Sequence, residues 1–180
     1  MRQPRVPLLS AMARDLADHG SLRLPTSTAM WAAYAGHGLL TAWALRRRAV
    51  PLPARSGPAR LAGVAMVAAG AAMCVAGMTR FTSPRELTGT RNEPLTTIGL
   101  YRYSRNPQYL GYLLVLAGAA VARRSGGALL STGLLAATYA TWIPVEEDHL
   151  THLHGQPYVD YMTQTRRWWG RPDSSTRTSG

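Results

Sequence analysis

Four mostly apolar stretches of the chain contain no Asp, Glu, Lys or Arg: residues 24–45, 61–79, 106–122 and 125–145. At about 1.5 Å per residue, helices of roughly 17 to 22 residues cover about 25–33 Å, close to the thickness of a hydrocarbon core. A buried helix in a soluble bundle would fit any one of them. Four such runs separated by arginines favour the membrane, so the pattern predicts an all-α, polytopic integral membrane bundle of about four transmembrane helices.

The third and fourth apolar runs are separated only by "RRSGG", residues 123–127. A connection this short predicts a tight antiparallel helical hairpin. Residues 79–108 and 146–180 must then emerge on the same side of the membrane. We therefore expect a helical C-terminal segment at that surface.

All 20 cationic residues are arginines, and the formal net charge is +11. Such a charge suits nucleic acid, a membrane surface or an anionic ligand. The arginines lie between apolar runs and not along a base-reading helix, so we predict the lipid bilayer as a partner and no nucleic acid. The two termini and residues 79–108 carry 13 arginines, against 7 in the other two connections. The positive-inside rule then places both termini and the middle segment in the cytoplasm, with the protein in the plasma (inner) membrane.

The remaining segments predict little beyond short helices. Leu8, Met12 and Leu16 share one helical face, which suits an interfacial helix, although disorder fits equally well. Ser83 as an N-cap, Pro84 in the first turn and Glu86 as a capping-box residue predict that another short helix starts at residues 83–86. We expect residues 1–170 to form one domain and residues 171–180 to be a disordered tail.

The first polar patch is "YRYSRNPQYLG", residues 101–111. Pro107 disfavours α geometry at Asn106 and is well placed to open the third span. Arg102, Arg105 and the free amides of that helix start would then form a donor-rich pocket at the bilayer surface. Interfacial anchoring by arginines and tyrosines is the alternative.

The second polar patch follows the fourth run, where Glu146 and Glu147 are adjacent. They could balance charge, or they could grip the hydroxyls or the ammonium of a polar cofactor. The Glu146-x-x-His149 spacing occurs in carboxylate-bridged iron sites, but it occurs once here, so we predict no metal. Further on, Tyr158 and Tyr161 recur at helical spacing before a pair of arginines.

Together, "TIGLYRYSRNPQYLG", the short hairpin, "EEDHLTHLHGQPYVDY" and "RRW" resemble the C-terminal half of the isoprenylcysteine carboxyl methyltransferase family, which is related to the phospholipid methyltransferases. The resemblance covers residues 97–168 and makes 97–170 the catalytic half. Two positions depart from the family pattern: Asn106 stands where histidine is usual, and His154 where phenylalanine is usual. Asparagine keeps a hydrogen-bonding head, so we expect cofactor binding to survive.

The resemblance implies an enzyme that transfers a methyl group from S-adenosylmethionine to a lipophilic acceptor at the membrane. It implies catalytic roles for Arg102, Arg105, Glu147 and Arg167. The residues implied in cofactor binding come from both patches: Tyr101, Arg102, Tyr103, Arg105, Asn106, Pro107, Tyr109, Glu146, Glu147, Tyr158 and Tyr161.

The acceptor and two alternative functions stay open at this point. A carboxylate or thiolate acceptor needs a cationic steering group, whereas an amine must lose a proton, for which Glu147 or His149 would serve. The number of arginines favours an anionic acceptor slightly. The alternatives are a membrane sterol-type reductase that uses NADPH, and a non-catalytic scaffold that binds anionic lipid.

Overall fold

The structure is a computed structural model, and it describes residues 6–78 and 95–170. Within that part the chain is all-α, as predicted, with one isolated β-bridge between Pro51 and Ser125 and no strand. A 3₁₀ turn, Gly99–Arg102, precedes the fourth helix. The described residues form six α-helices: α1 Pro7–His19, α2 Leu24–Arg47, α3 Ser56–Met78, α4 Pro107–Arg123, α5 Gly126–His154 and α6 Gln156–Gln164. The helix predicted near residue 83 and the predicted C-terminal tail lie outside the described residues.

The segment predicted as an interfacial helix forms α1. Its buried side chains Leu9 and Met12 pack against Leu22 and against Trp142 of α5. Gly20 ends the helix with φ of 71°, a left-handed conformation that glycine adopts without steric cost. The N-terminal helix is thus attached to the end of the bundle at which α5 finishes.

Helices α3 and α4 form an antiparallel pair in which glycines face each other. A Cβ atom added at Gly70 would lie 2.5 Å from the Gly111 carbonyl oxygen, and one at Gly118 would lie 2.7 Å from that of Gly63. The two backbones are therefore in direct contact. Within a membrane the hydrophobic effect does not drive apolar helices together. Small residues instead let the helices associate by bringing their backbones close.

Helix α2 is joined to α5 through polar side chains. Thr41 Oγ1 lies 2.9 Å from Ser131 Oγ, and the imidazole Nε2 of His37 lies 3.0 Å from the same oxygen. One turn away, the Tyr34 hydroxyl donates to that of Tyr139 at 3.3 Å. Hydrogen bonds between apolar helices satisfy groups that hydrocarbon cannot.

The tight hairpin between the last two apolar runs is confirmed. α4 ends at Arg123, and Ser125 caps α5 by accepting a hydrogen bond from the Ala128 amide at 3.2 Å. The amides of Gly126 and Gly127 donate to carbonyls of residues 49 and 50, both at 2.8 Å, which ties the hairpin to the connection after α2. Helix α5 continues through Pro144 and stops before Gly155.

Two of the described helices, α3 and α5, are long and apolar enough to cross a membrane by length and composition. Only 17% of the most apolar window of α3 is buried inside the molecule. Each of the four predicted apolar runs coincides with a helix. Crossing by α2 and α4 stays a prediction.

Candidate active site

The two polar patches meet at one end of the bundle. Pro107 begins α4, and Asn106 before it has φ of −132° and ψ of 53°, outside α geometry as the Asn-Pro pair predicts. Because α4 and α5 are antiparallel, the start of α4 lies beside the end of α5, where the two glutamates are. Helix α6 follows α5. Residues 165–170 come after it and pass back over residues 101–106, and we call residues 165–170 the crossing segment.

Glu147 is held between two arginines, one from each patch. Arg105 donates from Nε to Glu147 Oε1 at 2.9 Å and places Nη2 at 2.7 Å from the same oxygen. Arg167 donates from Nη2 to Oε2 at 2.6 Å. The carboxylate is only 8% exposed, so both cations compensate a charge that burial would otherwise penalise. We call these three residues the arginine–glutamate cluster.

The arginines of this cluster have different surroundings. Arg105 is 11% exposed, and its Nη1 also donates to the carbonyl oxygens of Met162 and Thr165, at 3.3 and 2.5 Å. Arg167 is 39% exposed, and its hydrogen bonds to Glu147 raise the pKa of the guanidinium above its ordinary value. Arg105 therefore fixes the chain around Glu147, while Arg167 keeps one side toward the surface.

The crossing segment is held to the first patch by backbone and side-chain hydrogen bonds. The amide of Arg105 donates to the Arg166 carbonyl at 3.1 Å, and that of Gly170 donates to the Tyr103 carbonyl at 2.7 Å. Asn106 Nδ2 donates to the Arg167 carbonyl at 3.1 Å, and the rings of Tyr103 and Trp169 stack with centroids 6.0 Å apart. The asparagine that replaces the usual histidine thus anchors the crossing segment.

Glu146 has aromatic surroundings. The hydroxyl of Tyr109 donates to Glu146 Oε2 at 3.0 Å, and the side chain of Trp142 lies beside this carboxylate. The rings of Tyr109 and Tyr139 lie 4.4 Å apart, and Tyr34 packs against the same cluster. We call Glu146, Tyr109 and Trp142 the Glu146 group.

The tyrosines of α6 complete the wall beside the arginine–glutamate cluster. Tyr158 and Tyr161 are buried, and the loss of solvent raises the pKa of both phenols well above the ordinary value. Both are therefore neutral hydrogen-bonding groups at neutral pH. The hydroxyl of Tyr161 donates to the Tyr101 carbonyl at 2.7 Å, which links α6 to the 3₁₀ turn.

The predicted site residues separate into three sets. Arg105, Asn106, Glu147 and Arg167 are in mutual contact, and Tyr109 contacts Glu146 next to them. Tyr101, Tyr158 and Tyr161 form the adjoining wall, and Pro107 is buried. Arg102 and Tyr103 are exposed at the edge.

Several residues of this site were not predicted. Tyr139 and Trp142 were counted as part of an apolar run, although their spacing of seven and four residues before Glu146 places them on its helical face. Ser104 is fully buried, and its hydroxyl oxygen accepts a hydrogen bond from the Asn106 amide at 3.0 Å. His154 lies on the helical face of Glu147, and its buried Nε2 has no hydrogen-bond partner among the described residues. Across the same residues, no group of three or more His, Cys, Asp or Glu is placed to hold a metal ion.

Comparisons with known proteins agree with the resemblance seen in the motifs. The sequence pattern of the phospholipid methyltransferase family matches residues 58–157, which is more than half of the chain and includes α3, α4 and α5. Neither the curated proteins nor the solved structures include a significant match. The match confirms the relationship to the phospholipid methyltransferases and implies a membrane methyltransferase. The chain belongs to the phospholipid methyltransferase family.

Proposed function

We propose that this protein transfers a methyl group from S-adenosylmethionine to the polar head of a lipophilic acceptor in the membrane. The observation that carries the proposal is the position of Glu146. It is a half-buried carboxylate at the end of an apolar helix, held by a phenol and an indole and contacted by no arginine of the described residues. A carboxylate with only neutral partners favours a cationic or hydroxyl-bearing ligand.

The residues present fit S-adenosylmethionine. Its ammonium and ribose hydroxyls need acceptors, which Glu146 supplies, and its carboxylate needs a cation, which the exposed Arg102 or the open side of Arg167 supplies. The unpartnered Nε2 of His154 offers a further buried polar group on the Glu147 face. When bound, this cofactor supplies an electrophilic methyl group on a sulfonium.

For the acceptor, the geometry supports an amine head group better than an anionic one. Arg105 and Arg167 are engaged with Glu147, so they are not both open to a carboxylate or a thiolate. Glu146 lies instead beside the side chains of Tyr109 and Trp142. A carboxylate surrounded by aromatic faces is chemistry that attracts ammonium groups.

The residues then divide the work as follows. One carboxylate oxygen of Glu146 would hold the cofactor, and the other would accept a proton from the ammonium head, which leaves a lone pair on the nitrogen facing the electrophilic methyl group. The sulfur that gives up the methyl group would keep the electrons of the broken bond and leave as a neutral thioether. Trp142, Tyr139 and the α1 side chains packed on Trp142 exclude water from that side. The arginine–glutamate cluster and Asn106 hold the crossing segment in place.

We further propose that α2 and α4 cross the membrane with α3 and α5, and that the site faces the cytoplasm from the plasma (inner) membrane. The starts of α2 and α4 and the end of α5 lie at one end of the bundle, as four alternating spans require. The excess of arginines in the termini and in residues 79–108 supports this orientation.

The test is calorimetric titration of the purified protein with S-adenosylmethionine and with NADPH, followed by incubation of membranes with labelled methyl donor and analysis of the lipid extract. We expect S-adenosylmethionine to bind and a labelled lipid to appear. Glu146→Gln should abolish most of both signals, whereas Asp148→Asn, which changes a carboxylate two residues further along α5, should change neither. Binding of NADPH without binding of S-adenosylmethionine would indicate a reductase. If no lipid is methylated and Glu146→Gln binds lipid as well as the unchanged protein does, the protein would be a scaffold.

A further inference from the structure

The end of the bundle opposite the candidate site is made only of cationic connections. Arg46, Arg47 and Arg48 end α2, Arg55 and Arg60 flank the start of α3, and Arg123 and Arg124 form the hairpin tip. The sequence contains no acidic residue between positions 24 and 85 or between 94 and 145. We call these seven residues the arginine end.

Hydrogen bonds to backbone carbonyls hold the arginine end together. The amide of Leu52 donates to the Arg124 carbonyl at 2.9 Å, and Ser125 Oγ donates to the Ala44 carbonyl at 3.0 Å. Arg124 Nη1 donates to the Ala54 carbonyl at 2.9 Å. The connections after α2 and after α4 therefore form one surface with a fixed backbone. A ligand can bind the arginines of this surface without first ordering a loop.

One shallow cleft at this end combines the cations with apolar side chains. It is lined by Leu39, Ala42, Trp43, Arg46 and Arg47, which all lie on one face of α2. Leu39 and Trp43 are exposed, at 74% and 56%. From the C-terminal end of α2 toward its middle, the side chains that line the cleft change from guanidinium to indole to aliphatic. A phospholipid presents its phosphate, glycerol and acyl chain in the same order.

We propose that this cleft binds the head group of an anionic phospholipid, with its phosphate on Arg46 and Arg47 and its chains along Trp43 and Leu39. Guanidinium groups bind phosphate through paired hydrogen bonds. A zwitterionic lipid would also need an acceptor for its ammonium, and the arginine end contains no carboxylate. About 20 residues of α5 separate this end from Glu146, roughly 30 Å, so the lipid lies in the other leaflet and is not the methyl acceptor.

The experiment measures thermal unfolding of the full chain in uncharged detergent during titration with phosphatidylglycerol, phosphatidylcholine or inorganic phosphate. We expect phosphatidylglycerol to raise the Tm with a saturable dependence and the other two to have little effect. The double change Arg46→Gln and Arg47→Gln should weaken the apparent affinity about tenfold or more. Arg55→Gln with Arg60→Gln removes the same charge from the same end and should weaken it less than about threefold.

Equal losses of affinity for phosphatidylglycerol in the two double variants would show that a diffuse electrostatic field, and not the cleft, binds the lipid. An equal response to phosphatidylcholine would overturn the anionic preference, and an equal response to phosphate would overturn the lipid. If the first double variant does not fold, Trp43→Ala decides, because it keeps every charge; unchanged affinity for phosphatidylglycerol there would also refute the site. Titration with S-adenosylmethionine should be the same in all variants.

Discussion

The adjacent glutamates of α5 have opposite surroundings. Glu147 contacts the guanidinium groups of Arg105 and Arg167, whereas Glu146 contacts the hydroxyl of Tyr109 and the side chain of Trp142. Consecutive residues of a helix point about 100° apart, so one carboxylate faces the crossing segment and the other faces α1 and α4. One is neutralised by the protein itself, and the other has only neutral partners among the described residues.

This difference separates structure from chemistry within one dipeptide. A buried carboxylate between two cations has its hydrogen-bonding capacity filled and stabilises the segments that supply the cations. A carboxylate held by neutral donors has no counter-charge within the protein, and a cationic ligand would supply one. We therefore assign Glu147 to position the crossing segment and Glu146 to contact the cofactor or the acceptor.

The largest expected effect is that of Glu147→Ala. Removal of the carboxylate leaves Arg105 buried without its counter-charge, which should lower the free energy of unfolding by about 3–5 kcal/mol. Asp148→Ala, which removes a carboxylate that is 39% exposed and paired at 3.9 Å with His152, should lower it by less than about 1 kcal/mol. Chemical unfolding in detergent measures both, and equal losses would show that Glu147 is not the structural partner.

The two arginines of the cluster should have unequal effects. Arg105→Gln removes hydrogen bonds to Glu147 and to two carbonyls, and should cost about 2–3 kcal/mol of stability. Arg167→Gln leaves Glu147 paired with Arg105 and should cost about 1 kcal/mol, since this side chain is more exposed. The same unfolding assay compares them, and a larger loss at Arg167 would reverse the assignment of the anchor.

The helices could be predicted from the sequence, while the partners of the glutamates could not. The four uncharged runs and the Asn106-Pro107 start of α4 are local signals, and each coincides with a helix or a helix boundary. The bonds from Glu147 span 42 residues to Arg105 and 20 residues to Arg167. They depend on where the crossing segment passes, and no local pattern encodes that path.

The composition of the Glu146 group shows the same limit. Tyr139 and Trp142 are aromatic residues inside an apolar run, where they are ordinary side chains of a buried or lipid-facing helix. Only the position of α4 beside α5 reveals that Trp142 and Tyr109 adjoin one carboxylate and that Tyr139 packs on the Tyr109 ring. The resemblance to methyltransferases identified the glutamates, but the separation of their roles required the contacts.

Asn106 offers a smaller test of the crossing segment. Asn106→Ala removes the hydrogen bond from Nδ2 to the Arg167 carbonyl and should cost about 1 kcal/mol. Asn106→His, which restores the residue usual in the family pattern, keeps a ring N–H donor and should recover most of that loss. If Asn106→His is as unstable as Asn106→Ala, the amide fits this position in a way that imidazole does not, and the departure is specific to this chain.

Tyr109→Phe should have the smallest effect on stability and a clear effect on ligand binding. The ring that packs against Tyr139 is kept, so the free energy of unfolding should change by less than about 1 kcal/mol. Glu146 loses its hydrogen bond from the phenol, so the carboxylate is less firmly oriented. Affinity for S-adenosylmethionine in calorimetry should fall about fivefold, the value of one hydrogen bond of roughly 1 kcal/mol.

Tyr112→Phe is the matched control, because Tyr112 lies on the same helix and packs against the same core without a hydrogen bond to Glu146 among the described residues. A loss of stability without a change in affinity would mean that the Glu146 group is structural as well, and the contrast between the two glutamates would then disappear.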